Sequence, residues 1–286
     1  MHYPVLLAET LEYLAIRPEG IYLDATAGLG GHTRAIAGRL TAGRLISADR
    51  DAESLQLARG NAAEFQDRID FVHSSFSGLP LALAQRGFGK LDGLLADLGV
   101  SRFQLTEPER GFSLMADGPV DMRMDRSQET TAGDLVNFTA EKALADLIFQ
   151  LGEERRARRI ARAIVRARPI RSTAHLARVI EEAAPRTGRL HPATQTFMAL
   201  RLAVNDEQAE LDSLLAAAPG LVKSGGRIVF ITFMSLEDRK VKQSFQQLAR
   251  DGRVRILTKH VVPPSEAEVR ENPASRSAKL RAVEVI

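Results

Sequence analysis

One stretch constrains this chain more than any other: Asp24-Ala25-Thr26-Ala27-Gly28-Leu29-Gly30-Gly31-His32-Thr33. An apolar run, Ile21-Tyr22-Leu23, leads into it, and a helix-like stretch at 34–40 leads away. A strand that turns through glycines into a helix N-terminus brings backbone close to a ligand and points free N–H groups at it. A dinucleotide fingerprint would carry its third glycine at position 33, where Thr33 stands instead. An acidic strand end followed by G-x-G-G suits S-adenosylmethionine, which has no pyrophosphate but carries a charged amino-acid tail. Taken alone, the same pattern also describes an ordinary tight β–α connection.

The flanking sequence predicts what kind of sheet holds this loop. Leu45-Ile46-Ser47-Ala48, Ile69-Asp70-Phe71-Val72 and Leu91-Asp92-Gly93-Leu94-Leu95-Ala96 read as further buried strands, with a helix at 52–61. Strands alternating with helices at this pace predict βαβ units and a parallel sheet, with ligands beyond the carboxyl ends of the strands. Asp24, Asp49, Phe76 and Asp97 all fall at such ends. Asp49 follows the glycine loop by about 20 residues, the interval of an acid that accepts hydrogen bonds from a ribose diol. Its competing reading is the N-cap of the next helix. Phe76 reads equally as core or as a platform beside an adenine. His32 is expected to contribute its backbone N–H. No metal is expected, because acids and other histidines do not stand at ligand spacing around it.

From residue 105 the pattern changes. Turn-rich segments give way to helical stretches at 132–137 and 140–151, then to a densely basic stretch, 153–168. On a helix, Ala157, Ile160, Ala161, Ile164 and Val165 form one apolar stripe, and Arg155, Arg158, Arg159, Arg162 and Arg166 cover the other faces. This reads either as a solvated basic helix or as a phosphate-contacting face, with the second favoured by the excess of arginine over acid. Helices at 176–184 and from His191 onward complete an expected helical insertion, 105–199. The core is expected to comprise 1–104 and 200–286. After a helix at 207–221, a turn at Lys223-Ser224-Gly225-Gly226 leads to a strand at 227–233. A helix at 240–249, terminal strands at 254–260 and 280–286, and a polar loop at 263–279 follow.

Composition excludes several chemistries. Among 286 residues there is no cysteine, so disulfides, iron–sulfur clusters, cysteine zinc sites and cysteine nucleophiles are out. Covalent attack on a pyrimidine ring carbon usually needs such a nucleophile. A net charge of +3 permits a polyanionic partner. No apolar run is long enough to span a bilayer, and Met1-His2-Tyr3-Pro4 lacks a signal-peptide pattern, so cytoplasm is expected and no membrane partner.

Taken together, these segments resemble one family, the bacterial 16S ribosomal RNA N4-cytidine methyltransferases, methyltransferase H. The matching segments are His2-Tyr3-Pro4-Val5-Leu6-Leu7, Gly28-Leu29-Gly30-Gly31-His32, Asp49-Arg50-Asp51, Asp97-Leu98-Gly99-Val100-Ser101 and Glu109-Arg110-Gly111-Phe112-Ser113. They continue through Asp117-Gly118-Pro119, Asp121-Met122-Arg123-Met124-Asp125, Gly152-Glu153-Glu154-Arg155, His191-Pro192-Ala193-Thr194 and Val204-Asn205. Ser235-Leu236-Glu237-Asp238-Arg239 and Ser275-Arg276-Ser277-Ala278-Lys279-Leu280 complete a match that runs nearly end to end.

The resemblance implies a class I S-adenosylmethionine-dependent methyltransferase: an α/β fold, Rossmann-like, with a mostly parallel seven-stranded sheet and an inserted helical substrate domain. It implies methyl transfer to N4 of a cytidine in the decoding centre of 16S rRNA within the small ribosomal subunit, and leaves a homodimer open. Carried over by position, Gly30, Gly31, His32, Asp49, Phe76, Asp97 and Gln104 would line the cofactor site. Asp97 is the candidate catalytic residue, touching either the target amine or the cofactor's methionine end. For the RNA, Arg158, Arg159, Arg162, Arg276 and Lys279 are expected to hold phosphates, while Asp121, Arg123 and Asp125 shape the base-side rim or serve as caps and ion-pair partners.

The chain departs from the family pattern in two places. Arg102 and Phe103 stand where a serine and a proline are common, and Met234 replaces a frequent histidine, which argues against an essential general base there. The rival readings are the same fold methylating a ribose hydroxyl or a protein nitrogen, and an assembly factor that binds RNA and uses the cofactor structurally. A nicotinamide enzyme comes third, with Thr33 against it.

Overall fold

A computed structural model of the chain describes residues 4–186 and 191–286. His2 and Tyr3, in the first segment of the resemblance, lie outside the described residues. The chain divides into two units, Met1–Gly99 with Gln208–Ile286, and Val100–Glu207.

The first unit opens with α1 (Leu7–Leu14), β1 (Ile21–Asp24), α2 (Gly31–Ala37), β2 (Arg44–Asp49), α3 (Ala52–Asn61), β3 (Ile69–His73), α4 (Leu79–Gln85) and β4 (Leu91–Asp97). The second unit follows with α5 (Arg102–Thr106), α6 (Ala132–Phe138), α7 (Glu141–Gly152), α8 (Ala157–Arg166), α9 (Thr173–Ala183) and α10 (Thr194–Val204). The chain then returns to the first unit with α11 (Glu207–Leu221), β5 (Val222–Thr232), α12 (Ser235–Arg250), β6 (Val254–Ile256), α13 (Glu266–Glu271) and β7 (Lys279–Val285).

The seven strands form one sheet in the order β3-β2-β1-β4-β5-β7-β6, and β7 alone runs against its neighbours. This is the mostly parallel α/β arrangement expected of a class I methyltransferase. Both faces are covered, which is why the strands read as unbroken apolar runs rather than alternating ones. Leu23, Leu94, Ile228 and Phe230 face a core with Leu211, Leu214, Val241 and Phe245 of α11 and α12. Tyr22, Leu95, Val229 and Ile231 face the other way, against Leu14, Ile36 and Leu40. From β1 the chain builds outward to β2 and β3, and from β4 it builds the opposite way. The topological switch lies between β1 and β4, where such sheets open a ligand crevice. Among the described residues, no helix is long and apolar enough to cross a membrane.

Three expectations change. The second unit, 100–207, is wider at both ends than the anticipated 105–199, because Phe197 and Leu200 of α10 pack with Leu144 and Ile148 of α7 in its core. Residues 223–226 are not a free turn: they form an irregularity inside β5, between the pairs Leu91–Val222 and Gly93–Arg227. The polar stretch 263–279 holds α13 and a short 3-10 turn, Pro273–Ser277, rather than open loop.

Candidate active site

Three carboxylates stand at the carboxyl ends of β1, β2 and β4. Asp24 is fully buried. The Thr33 hydroxyl donates to its Oδ2 at 2.7 Å, and the Thr26 N–H donates to its Oδ1 at 3.2 Å. The Ser47 hydroxyl lies 2.8 Å from that of Thr33, completing a short relay. Position 33 is therefore threonine for a reason: its side chain braces the acid that ends β1. Burial raises the Asp24 pKa to about 6, against the opposing pull of these hydrogen bonds.

Asp49 ties the glycine loop down. Its Oδ2 accepts the Gly28 N–H at 2.8 Å and its Oδ1 accepts the Asp51 N–H at 2.9 Å. The helix-capping alternative for Asp49 falls, because Asp51 caps α3, accepting from the N–H groups of Glu53 and Ser54 at 3.0 and 3.2 Å. Burial raises Asp49 to about 6, and the charges of Asp51 and Asp24 add to the rise. At Gly30 the backbone has φ +83°, and a Cβ there would sit 3.0 Å from backbone atoms of Ala58 in α3. Helix and loop meet at van der Waals distance, which only glycine allows.

Asp97 ends β4, and the Thr26 hydroxyl accepts its backbone N–H at 2.7 Å. Oδ2 lies 3.6 Å from His32 Nδ1. Oδ1 is buried and has no hydrogen-bond partner among the described residues. Burial, with the nearby charges of Asp24 and Glu237, holds the Asp97 pKa well above the usual carboxylate range. Glu237 is itself buried, and its Oε2 accepts the N–H groups of Phe233 and Met234 at 3.3 and 3.2 Å, closing the start of α12. Phe76, half-buried after β3, packs against the sheet core.

Gln104 lies in the second unit. It is buried, and its Oε1 accepts the Ser101 N–H at 2.9 Å in a capping box that starts α5. The same unit satisfies the proposed rim acids internally. Arg123 donates to both Asp121 oxygens, at 2.7 and 2.9 Å, while Asp125 accepts from the N–H and hydroxyl of Ser127. Asp121 and Arg123 thus form an ion pair. The loop they occupy is clamped from below. Arg110, buried between Phe103 and Phe112, donates to the carbonyls of Arg123 and Met124, and Asn205 bonds Met122 and Met124.

Arg158, Arg159 and Arg162 are exposed on α8, and Arg162 lies 3.3 Å from Glu141. Arg276 is exposed in the first unit, where Lys279 Nζ lies 4.0 Å from Asp238. Sequence reasoning missed the side chains of Thr26 and His32 and the buried Glu237. Glu237 had a signal, since it lies in a matching segment of the resemblance; Thr26 had only its place in the loop.

This geometry asks for a ligand that brings hydroxyl donors and positive charge. Carboxylates end three neighbouring strands, and one of them, Asp49, holds a glycine loop. S-adenosylmethionine carries a ribose diol, an ammonium and a sulfonium, and these groups fit that donor set. The model of the MraW methylase family matches residues 1–286. The chain belongs to the MraW methylase family. A protein named Ribosomal RNA small subunit methyltransferase H, from Solibacter usitatus, is 67% identical to this MraW-family chain over 285 residues and is covered, like this chain, over 100% of its length. One of the same name from Koribacter versatilis is 50% identical, over 98% of this chain and 93% of its own. A solved rRNA methylase from Streptococcus thermophilus is 10% identical, with a TM-score of 0.49, over 100% of this chain and 99% of its own.

Proposed function

We propose that this chain transfers a methyl group from S-adenosylmethionine to N4 of a cytidine in the decoding centre of small-subunit ribosomal RNA. End-to-end similarity to proteins named for small-subunit rRNA methylation supports the substrate class. The observation that carries the choice of an amine is Asp97 Oδ1, buried and without a hydrogen-bond partner among the described residues.

When bound, S-adenosylmethionine supplies an already activated sulfonium methyl. The protein's task is then alignment and handling of one proton. Asp49 would accept hydrogen bonds from the ribose diol, the Gly28–His32 loop would hold the donor, and Phe76 would offer its ring to the adenine. Cytosine's exocyclic nitrogen is a poor nucleophile because its lone pair is delocalised into the ring. Asp97 Oδ1 accepts one N–H of that amine, localising the pair, and takes up the proton as the new bond forms. The base leaves its stack to reach the site. Arg158, Arg159 and Arg162 hold phosphates on one unit, and Arg276 and Lys279 do so on the other.

The direct experiment is incubation with labelled S-adenosylmethionine and small subunits from cells lacking this protein, followed by mapping of the labelled nucleoside. N4-methylcytidine is expected. A 2′-O-methyl nucleoside would move the reaction to ribose, and an unlabelled subunit would leave an RNA-binding assembly factor.

A further inference from the structure

Phe138 is the last residue of α6 and stands 81% exposed. The backbone on both sides of it is held. Arg168 donates from Nε to the carbonyl of Val136 at 2.8 Å, and from Nη2 to that of Thr139. Asn137 is bonded both ways to Ile170: its Nδ2 donates to the Ile170 carbonyl at 3.0 Å, and its Oδ1 accepts the Ile170 N–H at 2.7 Å. Residues 136, 137 and 139 are thus fastened to the segment after α8, while the side chain of Phe138 is left in solvent. A single exposed phenylalanine on a loose surface needs no explanation. One carried on a clamped turn is already ordered for a partner, so little further freedom is lost on binding.

The charges around it say which partner. α8 packs against both α6 and α7. Arg162 Nε lies 3.3 Å from Oε1 of Glu141, the first residue of α7 and three residues beyond Phe138. Arg158, Arg162 and Arg166 recur every four residues at exposed positions of α8, so they form one row with steps of about 6 Å. Such a step suits successive phosphates of one nucleic-acid strand. Arg158 and Arg166 have no acidic partner among the described residues. On α7, Glu141 is engaged by Arg162 and Asp146 by Lys142, so the surface keeps a positive surplus. An open aromatic ring beside a row of guanidinium groups matches a strand whose phosphates take the row while one base lies on the ring. A duplex supplies the phosphates but keeps its base faces stacked.

We infer that Phe138 is a stacking platform for an unpaired RNA base at the end of the α8 arginine row, so that the second unit binds single-stranded in preference to duplex RNA. The inference rests on the reading of α8 as a phosphate-contacting face. The two parts act differently. The arginines give attraction that salt weakens; the ring gives attraction that salt leaves alone and that any base can use, since every base has a flat face.

The test uses the full-length protein with Phe138→Ala, Phe138→Leu and Phe138→Trp. Fluorescence anisotropy across a salt series compares a single-stranded small-subunit rRNA fragment with the same strand annealed to its complement. The Ala and Leu variants should bind the single strand about tenfold or more weakly, with the wild-type salt slope, because no phosphate contact is lost. Leu is the sharper of the two, being apolar without a flat face. Duplex binding, S-adenosylmethionine affinity and melting temperature should match wild type. Phe138→Trp should bind like wild type, and since the chain has no tryptophan, its single indole should be quenched by the single strand. Overturning results are Ala and Leu variants that bind the single strand as wild type does, an equal loss on strand and duplex, or an unquenched indole. Self-association of the wild type that Phe138→Ala abolishes would assign the ring to a second copy and overturn the inference too. A wild type that binds neither form of RNA would sink the RNA reading itself, and the platform with it.

Discussion

Asp97 shows how much one residue's surroundings can say. A strand end fixes its backbone, Thr26 takes its N–H, and burial with two acidic neighbours leaves an oxygen that no described residue satisfies. A buried acceptor without a donor costs on the order of 1–3 kcal/mol, so it is retained where a ligand supplies the donor. Asp97→Asn keeps the shape and removes the base. It should lower the single-turnover methylation rate by about 10²–10⁴-fold, with affinity for S-adenosylmethionine within about tenfold of wild type. Equal rates in the two proteins would take Asp97 out of the chemistry. The sequence allowed Asp97 to be chosen from its strand-end position, but the donorless oxygen and the histidine beside it depend on side-chain direction, which strand patterning does not give.

Among the elements, the β1–α2 connection was legible because its physics is local. Apolar residues, an acid, glycines and a helix follow one another within a few residues. The reason for each glycine was not legible. Gly30 is required by α3, a helix whose Ala58 is remote in sequence and touches the loop only after folding. Gly30→Ala combines an unfavourable positive φ with a clash against helix backbone, and should destabilise the first unit by about 2–4 kcal/mol. Thermal or urea unfolding with a circular dichroism readout would measure it, and a loss below about 0.5 kcal/mol would show that the loop yields. Several segments that carried the family resemblance make packing contacts within the second unit. Arg110 and Asn205 hold the 122–124 loop, and Gly152 allows α7 to approach the carbonyl of Gln195. Motif similarity flagged them without telling a clamp from a contact.

At the scale of the whole molecule, the two units differ in what they offer. The first gathers carboxylates at strand ends, with Asp24 buried and Asp49 and Asp97 half-buried, and the second displays arginines along α8. The insertion was readable as a break in the strand–helix rhythm, although its ends shifted because α10 packs with α7 rather than with the sheet. If α8 contacts phosphate, replacing Arg158, Arg159 and Arg162 by glutamine should weaken RNA binding. The slope of log K against log salt should flatten by roughly 2–3, at about 0.7–0.9 per phosphate contact. Fluorescence anisotropy with a small-subunit rRNA fragment across a salt series reads this directly, and an unchanged slope would make α8 an ordinary solvated helix.

The account depends most on a methyl donor held at the strand ends with Asp49 ionised. A half-buried carboxylate whose desolvation raises its pKa to about 6, and which must be charged to accept two hydroxyl donors, links binding to proton release. Calorimetric titration with S-adenosylmethionine and with its demethylated product should show one site at pH 7.5. Affinity should fall as pH drops through about 6, with protons released on binding near that pH and heat lost in Asp49→Ala. No heat with either compound, or binding indifferent both to pH and to Asp49, would contradict the central claim.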